Sequence, residues 1–414
     1  MKPLHPALLA AALALPGFCA HAAGDDLPSP EIVRVALQGH PQLLAARAEH
    51  EASGYGAEAV QRGPYEFEAS VTPQQRRSDA DGRFNEWEAQ LGRSVRLPGK
   101  ARLDRQIATQ MREVADRTQH GAQLAVGELL LESWMQWLDA EQVLQLTSAQ
   151  QQLLARERNA ARQMHDKGAL STLDLDLIDA DLASAKARLI GAQAAAAQAR
   201  QRLHLRFPHL PVPERAPPVA EPQPLPLDTT ALSAQLLERS TALAVARGRA
   251  AEQSLLAERA RANRRPDPTV GVRWLREGRD PENAVGVVIS VPFSGGYRRA
   301  QAQQESAREA ALHAQAQDVQ RDAQLQVWDA LHQGRALQDR WQAERDALAA
   351  HRSAAERSRR AWELGELGMG QYLLAERALL DRELAEQQAR TQAATAARML
   401  QLRAGQLWSG VLQP

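Results

Sequence analysis

Two stretches of this chain, residues 100–165 and 297–363, contain no proline and repeat apolar residues at helical spacing. Leu124, Leu131 and Leu138 follow this spacing in the first stretch. At 1.5 Å per residue, a helix of ~65 residues is a rod of roughly 100 Å, whereas helices of globular proteins seldom exceed about 25 residues. The pattern therefore predicts a coiled coil or a helical barrel, and it argues against a typical compact catalytic domain.

Composition narrows the function classes further. The chain carries 50 Lys and Arg against 50 Asp and Glu, so its formal net charge is zero. This balance excludes a strongly basic nucleic-acid binder and a strongly acidic solvating chain. Only 4% of the residues are aromatic, so the positions of those few become informative.

The N-terminus predicts export. Residues 1–22 combine Lys2, an apolar run over 8–15 and the small-x-small site Ala20-His21-Ala22, which is the pattern of a signal peptide. The alternatives are a buried N-terminal helix and a lipidated Cys19, although Phe18 stands where a lipobox has a small residue. Cys19 is the single cysteine, so cleavage after residue 22 leaves a chain without thiols.

The sequence contains an internal repeat, with one copy on each side of a proline-rich segment. Residues 207–227 hold eight prolines and predict an extended linker between a first repeat, 23–206, and a second, 228–414. Four features recur across the linker in the same order, at offsets of 194 to 200 residues. They are the segments 40–47 and 240–247, Pro98 and Pro292, Leu131-x-x-Trp134 and Leu325-x-x-Trp328, and Gly168 and Gly365.

Each repeat follows the same plan of helices and strands. We predict a helix over 30–62 and again over 229–263. Alternating apolar residues then predict two strands over 65–97 and two over 266–294. A long helix, a glycine-marked break and a returning helix predict a hairpin over 100–206 and another over 297–408.

Four strands are too few to close a membrane barrel, which needs about eight. Open edges are not tolerated in lipid, so strands that enter a membrane must be shared among several chains, and three copies would supply twelve. Seven aromatic residues lie in or beside the strand regions, where an aromatic girdle would lie. The girdle candidates are Tyr65, Phe67, Phe84, Trp87, Trp274, Phe293 and Tyr297. The alternative is that they fill the core of a small soluble sheet.

With this order of elements, the mature chain resembles the TolC-like outer-membrane efflux proteins of Gram-negative bacteria. The segment Gly365-Glu366-Leu367-Gly368-Met369-Gly370 and the residues that follow it, up to Glu376, resemble the tip of the family's conduit. The segment 291–296 resembles its strand-to-helix joint. Residues 96–102 (Arg-Leu-Pro-Gly-Lys-Ala-Arg) resemble the corresponding joint of the CzcC-like branch, which serves heavy-metal cation pumps.

The resemblance implies a mainly α fold with a small β part. It implies a homotrimer in which a shared twelve-stranded barrel sits in outer-membrane lipid above a helical tunnel across the periplasm. A periplasmic adaptor and an inner-membrane pump would dock at the tip, for which the candidate residues are Gly168, Gly365, Gly368 and Gly370. No cofactor is implied.

Chemistry-bearing motifs do not stand out. The eleven histidines are scattered, no P-loop or nucleophile elbow is present, and neither a metal site nor an enzyme is predicted. Asp174, Asp176, Asp179 and Asp181 crowd the start of the first return helix. They are either acids favoured by the helix dipole or, for Asp174 and Asp176, part of an acidic pore constriction that attracts cations, with Asp174 as the best candidate.

Two further expectations concern arginine and tryptophan. Arg93 and Arg96 interrupt an apolar strand, so in a barrel they face the lumen or the interface. Trp134, Trp137, Trp328 and Trp341 are expected to pack between helices.

The leading hypothesis is therefore a passive outer-membrane conduit of a tripartite efflux system. The alternative is a soluble periplasmic coiled-coil adaptor or interaction protein. An adaptor should contain one hairpin flanked by compact β-domains, whereas this chain predicts two hairpins and only short strand pairs.

Overall fold

The computed structural model describes residues 26–79, 82–226, 228–277, 282–293 and 295–412. The predicted signal segment 1–22, with Cys19, lies outside them. The two halves contain the same elements in the same order. The first half comprises α1 (Pro30–Gln38), α2 (Pro41–Arg62), β1 (Phe67–Ser78), β2 (Gly82–Ser94), α3 (Pro98–Asp166) and α4 (Thr172–Arg206). The second comprises α5 (Thr230–Glu238), α6 (Thr241–Ala262), β3 (Thr269–Glu277), β4 (Glu282–Ser290), α7 (Gly296–Glu363) and α8 (Met369–Arg403).

The first helix of each repeat is broken in two, so the prediction of one continuous helix there is wrong. In the first half Gly39 ends α1, and Pro41 opens α2. A proline disfavours helical geometry in the residue before it, and this breaks the helix at His40. In the second half Ser240 caps α6 by accepting a hydrogen bond from the Leu243 amide, 3.4 Å away.

The two long helices are confirmed. Helix α3 has 69 residues and α7 has 68, and each folds back into a helix of 35 residues, α4 or α8. Mean hydropathy is low along both rods, and each rod buries only a narrow stripe of side chains. Their stability therefore comes from packing along that stripe.

The mainly α class with a small antiparallel sheet is also confirmed. The strands pair in the order β1-β2-β3-β4, so the two repeats meet where β2 lies beside β3. Gly271 permits this contact, because a Cβ added there would stand 2.7 Å from the Leu91 carbonyl oxygen. The strands span 67–94 and 269–290, slightly less than the predicted regions.

Six of the helices, α2, α3, α4, α6, α7 and α8, lie side by side beneath the sheet. Near the sheet α3 packs against α2 and α6, and α6 packs against α7. Farther away α3 packs against α4 and α8, and α8 packs against α7. Helix α7 therefore lies at one side of the layer, α2 and α4 lie at the other, and β1 and β4 are the outer strands of the sheet above.

The largest hydrophobic core lies at the middle of the layer, where the proline-rich segment crosses it. Phe207, Leu210, Ala216 and Val219 from that segment are buried with residues 126–138 of α3. The segment is held by polar contacts as well, since the Ala220 amide donates to Asp26 at 2.8 Å. The linker is thus extended but packed onto the helices along its length.

The tryptophans differ between the two halves. Trp134 and Trp137 are buried in this core with their rings 4.8 Å apart, and Trp341 is buried between α7 and α8. Trp328 is 58% exposed on α7, so the prediction that it packs between helices is wrong for the single chain. It lies on the outer helix of the layer, with its ring 4.1 Å from that of His332.

Candidate functional site

One face of the sheet is apolar and open to the surroundings. The registers place alternate residues of all four strands on this face, in rows such as Val71, Ala89, Trp274 and Val285. Nine large apolar side chains on it are exposed by 41% or more. These are Phe67, Val71, Leu91, Val270, Val272, Trp274, Val285, Val287 and Ile289. A continuous exposed apolar surface of this kind marks an interaction or membrane surface.

The opposite face of the same sheet is mainly polar, although Leu275, Ala284 and Val288 also lie on it. Its residues include Glu68, Ser70, Thr72, Gln74, Glu86, Glu88, Gln90, Arg273, Glu277 and Glu282. The Gln74 amide donates to Glu86 at 2.8 Å, and Arg76 lies 3.2 Å from Glu277. The strands therefore alternate between an apolar face and a mainly polar face.

The girdle candidates occupy different positions around this sheet. Phe67 and Trp274 lie on the apolar face, and Trp87 makes an edge contact with Trp274 at 5.0 Å on the same face. Phe293 is fully exposed just below β4, and Tyr297 is exposed in the first turn of α7. The backbone of Phe84 belongs to β2, and its side chain lies outside the described structure.

Tyr65 lies at the joint between sheet and helices. Its hydroxyl donates to Asp267 at 3.0 Å, and the Arg96 guanidinium lies 5.0 Å from its ring centre. Arg96 also pairs with the buried Asp104 at 2.9 Å, below the strands. Arg93 lies in the last row of the apolar face. Its guanidinium carbon lies 5.2 Å from the centre of the Phe67 ring, and its Nε donates to the Tyr65 carbonyl.

Asp267 is the anchor of the joint between β2 and α3. It accepts from the Leu97 amide at 3.1 Å and pairs with the buried Lys100 at 3.0 Å. Burial alone would raise the pKa of Asp267, but the hydrogen bonds from Lys100, Leu97 and Tyr65 hold it below its usual range. An open cleft of about 670 Å³ lies beside this network, lined by Arg62, Tyr65, Glu66, Asp104, Arg259 and others.

The far ends of the two hairpins lie side by side. Gly168 and Gly365 both adopt φ of 76°, and in each hairpin the next amide, of Ala169 or Glu366, donates back five residues at 2.8 Å. This is the Schellman end that favours glycine. Gly368 is the N-cap of α8 with an ordinary φ of −74°, and Gly370 lies in its first turn next to Leu177.

Contacts between the repeats hold this tip together. Tyr372 is buried among Leu154, Ile178 and Met369, and its ring stacks on Trp362 at 4.9 Å. Its hydroxyl donates to Glu157, where burial raises the carboxyl pKa. Hydrogen bonding to the carboxylate and burial together raise the pKa of Tyr372.

The four acids of α4 have different surroundings. The Asp174 amide donates to the N-cap Ser171 at 3.1 Å, and the Ser171 hydroxyl donates to the Asp174 carboxylate at 2.6 Å. Asp179 pairs with Arg158 at 2.7 Å, which lowers its pKa, and the buried Asp181 pairs with Arg377 of α8. Asp176 is exposed and makes no hydrogen bond or ion pair with any residue that the structure describes.

Some structural sites gave no recognisable signal in the sequence. Asp26 is buried and accepts two hydrogen bonds from Arg398, at 2.8 and 2.7 Å, although 372 residues separate them. The inter-repeat pairs of Glu157 with Tyr372 and Asp181 with Arg377 are also far apart in sequence, by 215 and 196 residues. Isolated charges in amphipathic helices look alike until the helices are packed.

Neither a spanning helix nor a metal cluster is found in the described residues. Among them, no helix is long and apolar enough to cross a membrane. Within the same ranges, no three His, Cys, Asp or Glu residues are grouped to hold a metal ion.

Comparison with known proteins identifies the fold. No protein-family model and no curated protein matches the sequence. Among solved structures, the chain is similar to the transmembrane channel CusC, with a TM-score of 0.75 and 16% identity over 90% of this chain and 91% of that one. It is similar to the outer membrane protein VceC of Vibrio cholerae, with a TM-score of 0.72 and 20% identity over 91% and 95% of the two chains.

A third similar structure is the MtrE outer membrane channel of Neisseria gonorrhoeae, with a TM-score of 0.72 and 19% identity over 93% of this chain and 90% of that one. The likeness extends over 90% or more of each protein. The resemblance seen in the sequence is thus confirmed at the level of the fold, and the chain has the fold of these outer-membrane channels.

Proposed function

We propose that this protein is the outer-membrane channel of a tripartite efflux system. It is a passive conduit, without enzymatic activity, that exports small solutes from the periplasm. A periplasmic adaptor and an inner-membrane pump would deliver the cargo and the energy. The observation that carries the proposal is the exposed apolar face of the sheet, backed by a charged face.

The dimensions of the apolar face suit a bilayer. On β4 and its extension, apolar residues of this face run from Val285 to Phe293. At about 3.3 Å per residue this is roughly 26 Å along the strand. Outer-membrane barrels carry an apolar band about 25 Å tall, and at a strand tilt of about 40° this length spans roughly 20 Å of that height. A soluble adaptor would have to keep this surface in water, which is the main argument against the alternative function.

The outer elements support assembly as a homotrimer. Strands β1 and β4 end the sheet within one chain, and an unpaired strand edge is costly in lipid. Below them, α7 carries the exposed Leu325 and Trp328, and α4 carries the exposed Ile190 and Leu205. Three copies joined edge to edge would make a shared twelve-stranded barrel above a tube of helices.

The lower end of the tube is proposed as the docking and constriction region. The two hairpin turns lie together, and an adaptor could engage both. The candidate contact residues are Gly168, Gly365, Gly368 and Gly370. Asp176, repeated three times around the axis, would present carboxylates to cations. Heavy-metal cations are one candidate cargo, on the strength of the CzcC-like segment 96–102.

Matched arginine substitutions on β1 test the membrane assignment. Val71 lies on the apolar face and Thr72, its neighbour, on the polar face. Arginine on a lipid-facing strand costs roughly 2–4 kcal/mol at mid-membrane. We expect the wild type and Thr72→Arg to fractionate with outer membranes and to be extracted by detergent as trimers, and Val71→Arg to assemble poorly.

Two results would contradict the proposal. One is release of the wild-type protein by osmotic shock without detergent. The other is equal tolerance of arginine at positions 71 and 72. Ion conductance of the purified trimer in planar bilayers tests the conduit itself.

A further inference from the structure

The two strand-to-helix joints of this chain are built from different charges. At the first, Asp267 from the second repeat sits at the start of α3, where it accepts from the Leu97 amide and pairs with Lys100. The helix start is electropositive because its first amides have no partners within the helix. Asp267 thus supplies the anion that α3 requires, from the segment that leads into the neighbouring strand β3.

At the second joint, the corresponding anion is missing from the described part of the chain. The N-cap of α7 is Gly295, which has no side chain to cap the helix, and the first turn contains no acid. Instead the turn contains Arg298 and Arg299, for which no ion pair occurs within the described residues. Two cations at the positive end of a 68-residue helix are unfavourable unless an anion lies near them.

More positive charge gathers at the same place. Arg298 donates to the Asn263 carbonyl at 3.0 Å, which brings the start of α7 against the turn after α6. That turn continues with Arg264 and Arg265, both exposed and without an ion pair to any described residue. The α7 start is therefore an electropositive site of four arginines.

Glu66 has the complementary charge. It immediately precedes Phe67, the first residue of β1, and Asp267 lies two residues before Thr269, the first residue of β3. Glu68 and Thr269 lie on the polar face of the sheet. Residues 66 and 267 each lie two positions before them, so the alternation of the strands assigns both to the same face. Glu66 is exposed and has no hydrogen bond or ion pair with another described residue.

The arrangement within one chain indicates which helix the Glu66 carboxylate would reach. Within one chain, β3 lies beside β2, and the carboxylate ahead of β3 reaches the helix that follows β2. Applying the same relation to the next pair of strands puts β1 of a second copy beside β4. The carboxylate ahead of that strand then reaches the helix that follows β4, which is α7.

We infer that Glu66 of the partner subunit neutralises the start of α7, close to the Phe293 amide and Arg298, so that each α7 is completed only by the adjacent copy. This rests on the proposed assembly and adds the residue that orients one copy against the next. The occupant is a second copy of this chain, because the site lies directly below the edge of β4 that a second copy would extend.

Cysteine pairs distinguish contacts between copies from contacts within one copy. In a Cys19→Ser background, we would combine Glu66→Cys with Phe293→Cys and treat membranes with a short bismaleimide. The matched control combines Asp267→Cys with Leu97→Cys, the pair seen within one chain. The expected result is covalent dimers and trimers for the first pair, and an unchanged monomer mass under denaturation for the second.

Charge exchange provides a test that does not depend on cysteine. Glu66→Arg and Arg298→Glu should each lower the temperature at which the detergent-solubilised trimer dissociates, and the double variant should restore it toward the wild-type value. Lack of restoration, with both single variants folded and membrane-inserted, would overturn the inference. So would cross-links that form only within one chain.

The outcome is separable from the proposed function. A trimer of normal mass and conductance without the 66–293 cross-link refutes the inference and leaves the channel proposal intact. A protein that forms no oligomer in detergent refutes the channel itself. If native mass spectrometry instead finds anionic phospholipid retained on the trimer and lost in Arg298→Gln with Arg299→Gln, the arginines bind lipid and the inference is wrong.

Discussion

At the scale of single residues, the best-defined feature is the buried ion pair of Asp26 and Arg398. Asp26 is 2% exposed and accepts from Arg398 and the Ala220 amide, while its own carbonyl accepts from the Trp134 indole at 2.8 Å. The carboxylate of Asp26 thus joins the start of the described chain to α8 and the proline-rich segment, and its backbone carbonyl joins it to α3. Such a pair fixes geometry more than it adds net stability.

We predict that Asp26→Asn destabilises the protein by about 3–5 kcal/mol, because Arg398 would remain charged and buried without its partner. Replacing both residues, as in Asp26→Leu with Arg398→Leu, should recover much of this loss. Thermal unfolding followed by the helical circular dichroism signal would measure both. A double variant no better than the single one would show that the carboxylate matters chiefly as a backbone acceptor.

Glu157 gives the tip a predictable pH dependence. Burial raises its pKa above the ordinary 4.5, the Tyr372 hydroxyl opposes this, and Glu376, Arg359 and Arg156 supply the surrounding charges. Between 4.5 and the raised pKa the folded tip holds a proton that the unfolded chain has lost. Stability contributed by this group therefore falls as pH rises through that interval.

Glu157→Gln should remove this dependence. Hydrogen exchange of the segments around residues 157 and 372, corrected for the intrinsic rate, should show greater protection at about pH 5 than at about pH 7.5 in the wild type. The variant should show little difference. An unchanged pH profile in the variant would assign the effect to another group.

At the scale of elements, the two hairpin turns have the same backbone geometry although their sequences differ. Both long helices end in the same glycine turn, with Gly168 and Gly365 at the same φ. The returning helices begin differently, since α4 has the capping pair of Ser171 and Asp174 whereas α8 starts at a glycine without a side-chain cap.

Gly365→Ala should cost about 1–2 kcal/mol of local stability, because a Cβ clashes in the left-handed conformation. Gly368→Ser is the matched control. Its backbone is in an ordinary extended conformation, and a serine there changes the helix cap by only a few tenths of a kcal/mol. Hydrogen exchange in residues 361–373 would compare the two, and equal effects would refute the conformational argument.

At the scale of the whole molecule, the chain has the form that the proposed ring of three copies requires of each sector. The sheet and the helical layer each end in uncovered elements, and the apolar and polar faces of the sheet separate an outside from an inside. On this view the exposed Trp328 belongs to an interface between copies. The acids of α4 are likewise divided between ion pairs within the chain and a residue available to the pore.

This division gives a selectivity prediction for the assembled channel. Asp176→Asn should reduce the preference for cations by about fivefold, since one unit charge at close range contributes about 1 kcal/mol even in water. Asp179→Asn is the control, because Arg158 already pairs with that carboxylate. Reversal potentials in a salt gradient would measure both, and an unchanged value for Asp176→Asn would exclude it from the constriction.

Asp174 is a less specific probe than the sequence indicated. Its carboxylate accepts from Ser171 at the start of α4, so Asp174→Ala would weaken the helix cap as well as remove a charge. The four acids therefore differ in their surroundings, and a pore role for Asp176 stays a prediction. These surroundings could not be inferred from spacing, because all four acids share one short segment.

The sequence by itself determined the periodic features of this protein. Proline-free apolar repeats specified two long helices, period-two alternation specified four short strands, and the recurrence of both specified a duplicated unit. These are local properties, and they follow from how neighbouring residues share a face. The breaks at His40 and Ser240 were missed because a helix that stops and restarts keeps the same apolar period.

Only the tertiary structure decided which distant residues meet. The joining of β2 to β3, the burial of Asp26 against Arg398, and the capping of α3 by Asp267 all depend on the packing of segments more than 150 residues apart. A charge on an amphipathic helix or in a short turn has the same local signature whether it faces water or a partner. Its partner is set by the register of the strands and the order of the helices, which the two repeats fix together.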